Sequence, residues 1–132
     1  MDLARVPGAG AAGGLGFGLP AFAGAKLTPG FELFARTARL DGRVRRADLV
    51  VTGEGAIDRS TLMGKGVSQV AERCRKNQVP CIGLAGALAV SRAGLRIFAQ
   101  AHALTDLTSV EEAKGRPELW LRRLARRVAG AL

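Results

Sequence analysis

The chain has 132 residues, 48% hydrophobic and 23% charged, which suits one compact domain with a core and leaves no room for two ordinary ones. Its 20 basic against 11 acidic residues leave a net charge of +9, which raises nucleic acid as a partner. No run reaches the ~18 consecutive apolar residues of a membrane span, and MDLARVPGAG is not a secretory leader, so a soluble, cytoplasmic chain is expected.

In chain order, PGAGAAGG leads into a short apolar helix over Leu15–Ala25, interrupted by Pro20 or carrying it in its first turn. A second helix is expected over Gly30–Leu40, with Phe31, Leu33, Phe34 and Ala38 available for packing, followed by a turn at Asp41 and Gly42. The pattern then changes. Leu49, Val50 and Val51 read as a short buried strand ending at Thr52-Gly53. Lys65–Asn77 reads as a helix with Val67, Val70, Ala71 and Cys74 on one stripe. Pro80–Ala85 is the next strand, with proline at its first position. Ser91–Gln100 is expected to be helical and Ala101–Leu104 a weak strand. Glu111 and Glu112 open a helical patch, and Pro117 starts a final helix to Ala131.

Residues 1–47 thus form a Gly-rich loop with helices, and residues 48–132 a βαβαβα unit. Short buried strands alternating with helices predict an α/β fold, a three-layer Rossmann-like parallel sheet with flanking helices. Right-handed crossovers place the loops after the strands on one edge, where ligands bind in open α/β sheets. The longest of these is expected at Thr52–Lys65, with Gly86–Ser91 beside it.

The Arg-rich run Arg122, Arg123, Arg126 and Arg127 stands opposite Leu121, Leu124, Ala125 and Val128, as on the wet face of an amphipathic helix. Only four of the basic residues are Lys, Tyr is absent, and no Phe is interleaved with Arg to stack bases. A solvated face is therefore preferred to a nucleic-acid surface. Cys74 and Cys81 are the only cysteines and His102 the only histidine, so a Cys/His zinc site cannot be assembled. Buried thiols in a reducing compartment are expected instead, with His102 packing or capping at a strand start.

The chemistry concentrates in DLVVTGEGAIDRSTLMGKG, residues 48–66. Gly53 and Gly55 bracket Glu54, Asp58 follows, and Lys65 heads the next helix between Gly64 and Gly66. Two carboxylates with a lysine at a helix N-terminus can hold Mg²⁺, orient a hydroxyl and take phosphate charge. The plainer reading makes Asp58 or Ser60 a helix cap and leaves Glu54 solvated; for any one residue that reading wins, while the set favours function. The Walker A pattern fails, because Arg59 and Gly66 occupy the tested positions. Gly8–Gly13 satisfies G-x-G-x-x-G, but no strand fits before it, so it is weak as a dinucleotide fingerprint. Its backbone amides remain candidates for anion binding.

PGAGAAGGLGFGLPAF, ADLVVTGEGAIDRSTLMGKG and VPCIGLAGAL, in that order, resemble three consecutive blocks of the bacterial-type glycerate kinases. The likeness runs from Pro7 to Leu88 and more loosely to the C-terminal helix. It implies transfer of a phosphoryl group from ATP, assisted by Mg²⁺, to a hydroxyl of D-glycerate, with no nucleic-acid partner, no membrane and a homodimer as the candidate assembly. The catalytic residues implied are Glu54, Asp58 and Lys65, with Asp58 and Glu54 the candidate Mg²⁺ ligands. Gly8, Gly10, Gly13, Gly14, Thr52, Gly53, Gly55, Thr61 and Gly64 are the candidates for holding substrate or phosphate.

The chain departs from the pattern at Ala56, where the family usually has a basic residue, at Ser60 (usually Gln), at Val67 (usually Pro) and at Pro20. Family members are much longer, so the resemblance implies only the C-terminal portion of a larger two-domain kinase. The alternatives are a remnant that keeps the fold without phosphotransfer and a basic nucleic-acid-binding module. An unpaired sheet edge would favour self-association.

Overall fold

The computed structural model describes residues 2–64 and 66–132. The chain divides into two compact units, Met1–Ala38 and Arg39–Leu132.

In the first unit, Asp2 accepts a hydrogen bond from the Ala4 amide at 3.1 Å and opens a 3₁₀ turn, Leu3–Arg5. Helix α1, Ala11–Ala23, is broken near its start, where Ala12, Gly13 and Gly14 all take left-handed angles. The regular helix therefore resumes at Leu15, as the sequence pattern suggests, and Pro20 lies inside it, removing one backbone hydrogen bond. Gly24, at φ 63°, terminates α1. Helix α2, Gly30–Thr37, packs Phe31 against Phe34 at 6.0 Å between ring centroids. It stops short of the expected Leu40.

The second unit begins with Arg39 in the left-handed region at φ 50°, which separates α2 from a short helix α3, Leu40–Val44. Asp41 and Gly42, expected in a turn, belong to α3. Three parallel strands follow in the order β1-β2-β3: β1 Val50–Ile57, β2 Cys81–Leu88 and β3 Gln100–Ala103. Between β1 and β2 run α4, Arg59–Leu62, and α5, Gly66–Lys76. After β3 come α6, Val110–Gly115, and α7, Pro117–Ala129, with Pro117 in its first turn. The expected helix over Ser91–Gln100 is reduced to a 3₁₀ turn, Gly94–Ile97, which leads directly into β3. Only Leu95, Ile97 and Phe98 of that segment pack on the core, too few apolar positions to hold a longer helix.

Two apolar layers sandwich the sheet. One joins Cys81 and Ala85 of β2 to Val67, Ala71 and Cys74 of α5, with Val44, Ile57 and Phe98. The other joins Ile82 to Leu104, Ala113, Leu124 and Val128 beneath α6 and α7. Arg73 of α5 bridges to Asp41 of α3 at 3.1 Å. His102 lies within β3, its Nε2 3.0 Å from Gln100 Oε1. The α/β architecture with a parallel sheet and flanking helices is thus the one the sequence predicts.

Cys74 and Cys81 face each other inside the first layer, both free and buried. Burial pushes the Cys74 thiol up, partly offset by its hydrogen bond with Cys81. Burial, and then the neighbouring Cys74, push Cys81 up to about 12. A thiol whose folded pKa is raised stabilises the fold below its unfolded value and loses that contribution as pH climbs through the folded value. Urea denaturation between pH 9 and 12 should accordingly show the stability advantage of the parent over Cys81→Ala shrinking as pH rises. A constant difference would contradict it.

Candidate functional site

The glycines that suggest a loop lie inside a strand. The sequence reading ends the first strand at Thr52-Gly53, but β1 continues through Gly53, Glu54 and Gly55 to Ile57, paired with β2 up to Leu88. Close approach of the two backbones explains the glycines. A Cβ on Gly53 would stand 2.3 Å from the Leu84 carbonyl oxygen, and one on Gly86 would stand 2.5 Å from that of Gly55. The expected loop is therefore shorter than Thr52–Lys65, and residues 86–88 of the neighbouring loop belong to β2.

Directly after β1, at its carboxyl end, Asp58 leaves the strand in an extended conformation and caps α4. Its Oδ1 accepts from the Ser60 amide at 2.7 Å, the Thr61 amide at 3.0 Å and the Ser60 hydroxyl at 2.5 Å. The Thr61 Oγ1 in return accepts from the Asp58 amide at 3.1 Å, closing a capping box. That same hydroxyl donates to Glu54 Oε1 at 2.5 Å. Thr61 is fully buried, whereas Glu54 and Asp58 are half-buried. One four-residue helix thereby ties a strand carboxylate to the carboxylate that follows the strand.

Glu54, Asp58 and Thr61 are thus brought together. Thr52, Gly53 and Gly55 lie in β1 around Glu54, and Gly64, at φ 104°, turns the chain between α4 and α5. Lys65 lies outside the described residues. Gly8, Gly10, Gly13 and Gly14 belong to the first unit, at the break in α1 and just before it. By sequence Ser60 is only a candidate cap; its hydroxyl on Asp58 is legible in the Asp58-Arg59-Ser60-Thr61 order once Asp58 is known to be the N-cap.

Glu54 also lines an open groove of ≈ 970 Å³ between the sheet and the last two helices, with Val51, Leu84, Val110, Lys114 and Leu121 among its walls. No bare stretch of sheet that wide follows from periodicity, and the sequence reading contains no such groove. Val51 is 58% exposed there. On α7, Arg122 pairs with Glu118 at 2.6 Å and Arg123 lies 4.6 Å above the Trp120 ring.

Among the described residues no cluster of three or more His, Cys, Asp or Glu could hold a metal. The chain's own donors at the site are two carboxylates, which suits Mg²⁺ completed by phosphate oxygens and water rather than a metal caged by protein. Among the described residues, too, no helix is long and apolar enough to cross a membrane.

A parallel α/β sheet with acidic side chains at and just after the carboxyl end of its first strand defines a protein of the open-sheet α/β class, in which that edge is where ligands generally bind. Comparison with known proteins makes the class specific. The pattern of the glycerate kinase family matches residues 1–132, and the chain belongs to that family. It is 41% identical over 133 residues to a glycerate kinase of Halalkalibacterium halodurans, covering 97% of this chain and 34% of the relative. It is 44% identical over 88 residues to the glycerate 2-kinase of Escherichia coli K12, covering 67% of this chain and 23% of the relative. A crystal structure described as a glycerate kinase 2 from Salmonella typhimurium LT2 superposes with a TM-score of 0.55 at 38% identity, covering 73% of this chain and 23% of that one. The chain spans about a third or less of the length of these relatives, at their C-terminal part.

Proposed function

We propose that this chain forms the C-terminal part of a cytoplasmic kinase that transfers a phosphoryl group from ATP to a hydroxyl of D-glycerate. The observation that carries the reading is the coupling of Glu54 and Asp58 through Thr61 at the end of β1. Metal-assisted phosphoryl transfer relies on positioning and on neutralising phosphate charge, and both functions are within the chemistry of this segment. Glu54 has one oxygen engaged by Thr61 and offers the second to Mg²⁺; Mg²⁺, when bound, would offset the negative charge of the transferring phosphate. Asp58 spends Oδ1 on three donors, and its negative charge would help hold Mg²⁺ or orient the acceptor hydroxyl. Lys65 is assigned to the phosphates or the glycerate carboxylate, together with the first amides of α5 and the backbone turn at Gly64. The glycines Gly8, Gly10, Gly13 and Gly14 are proposed to present backbone amides to an anionic group.

A second copy of the chain is a further proposed partner, on the ground that β1 is an edge strand in the β1-β2-β3 order of the described residues; sedimentation giving a monomer at all concentrations would oppose it. For the activity, ATP consumption with D-glycerate should be measured for the chain alone and mixed with the N-terminal two-thirds of the H. halodurans relative. Turnover is expected in the mixture and to require D-glycerate. Its absence from a mixture that demonstrably associates would count against the kinase reading and favour a non-catalytic remnant.

A further inference from the structure

We infer that Thr61 is a positioning residue for Glu54, acting through the carboxylate rather than on the phosphate itself. This rests on the kinase reading above, in which Glu54 meets the metal. A threonine in a phosphate-handling segment is most simply taken as a ligand contact, and the geometry speaks against that. Its side chain has no exposed surface. Its oxygen is already committed on both counts: it accepts from the Asp58 amide at 3.1 Å and gives its one proton to Glu54 Oε1 at 2.5 Å. The Ala56 carbonyl, at 3.4 Å, is a weaker second acceptor for that proton.

A hydroxyl of this kind sets direction. Glu54 projects from a strand held to β2 by its glycines, while Thr61 stands on a helix fixed by the Asp58 cap. The bond between them crosses seven residues of sequence and fastens the carboxylate to two rigid elements at once. Of the bonds among the described residues, it is the one that holds Glu54. With Oε1 fastened, the carboxylate keeps one uncommitted oxygen, Oε2, whose position is set by the same tie. Charge-assisted bonds from a hydroxyl to a carboxylate are the shorter and stronger kind, and a displacement of ~1 Å at a reacting group can cost roughly 10²-fold in rate.

The discriminating variants are Thr61→Val, which keeps the volume and removes the hydroxyl, and Thr61→Ser, which keeps the hydroxyl. In the chain itself, the Glu54 side-chain ¹³C signals and the exchange of the Asp58 amide should match the parent in Thr61→Ser. In Thr61→Val the Glu54 signals should shift and the Asp58 amide exchange faster, by roughly tenfold for one lost acceptor. In the mixture with the N-terminal portion, Thr61→Val should lower kcat by roughly 10²-fold with KM for ATP and D-glycerate held, and Thr61→Ser should recover most of it. Unchanged Glu54 signals in Thr61→Val would overturn the inference, as would a rise in KM without a fall in kcat. Should Thr61→Val fail to fold, loss of kcat in a folded Thr61→Ser would also overturn it. Absence of turnover in the parent mixture would instead strike the kinase reading, and the Glu54 signals would still decide whether Thr61 holds that carboxylate.

Discussion

Glu54→Gln in the assembled kinase should lower kcat by roughly 10²–10³-fold with almost no change in folding stability. Glutamine presents a carbonyl oxygen in place of the carboxylate Oε1 that the Thr61 hydroxyl bonds at 2.5 Å, so the strand-to-helix tie survives. What disappears is the negative charge proposed to hold Mg²⁺. The contrast with Asp58 sharpens the test. Asp58→Asn keeps an oxygen for the Ser60 and Thr61 amides, whereas Asp58→Ala strips the cap from α4 and should cost about 1–2 kcal/mol of stability. Parallel denaturation curves and initial rates for the three variants separate the two effects. If Glu54→Gln retains normal kcat, Glu54 is not a catalytic residue.

Gly53→Ala should be the most damaging single methyl in the second unit, at about 3 kcal/mol. The added carbon would stand 2.3 Å from the Leu84 carbonyl oxygen, a backbone atom with no side-chain freedom to move aside. Either β1 shifts away from β2, breaking the register that places Glu54 opposite Ala85, or the strand pair separates. Gly115→Ala is the control, because a Cβ there meets nothing within 4 Å. Its effect should lie within ±0.5 kcal/mol. Equal urea midpoints for the two variants would show that β1 and β2 do not need the close approach.

The parallel sheet was legible because its strands carry their own signals. Val50 and Val51 are β-branched, Pro80 marks the entry to β2, and Val67, Ala71 and Cys74 fall on one helical stripe. The run of β1 past Thr52 was not legible. Glycine is a poor strand former, so TGEG reads as a turn by propensity, and only the neighbouring backbone at Leu84 reveals why glycine stands in a strand. The same limit explains the overlong helix expected at Ser91–Gln100: its alternation fits a helix, but tertiary context allows a single 3₁₀ turn before β3.

At the site, residue types were readable and their relations were not. Glu54, Asp58 and Thr61 stand out in the sequence as polar groups beside glycines, and Asp58 could be foreseen as a cap. That one buried hydroxyl would join the Glu54 carboxylate to the Asp58 backbone amide depends on the twist of β1 and the brevity of α4, which no periodicity encodes. The groove was invisible for a related reason. It arises where α7 covers β2 and leaves Val51 of β1 bare.

The central question for this segment is whether it serves phosphoryl transfer to D-glycerate. The most direct measurement joins the chain to the N-terminal two-thirds of the H. halodurans relative, in place of that protein's own C-terminal third, and follows D-glycerate-dependent release of ADP. Turnover is expected in the chimera, and its loss, with the fold intact, in the chimera carrying Glu54→Gln. A folded chimera that releases no ADP, or one that Glu54→Gln leaves at full rate, would contradict the kinase reading.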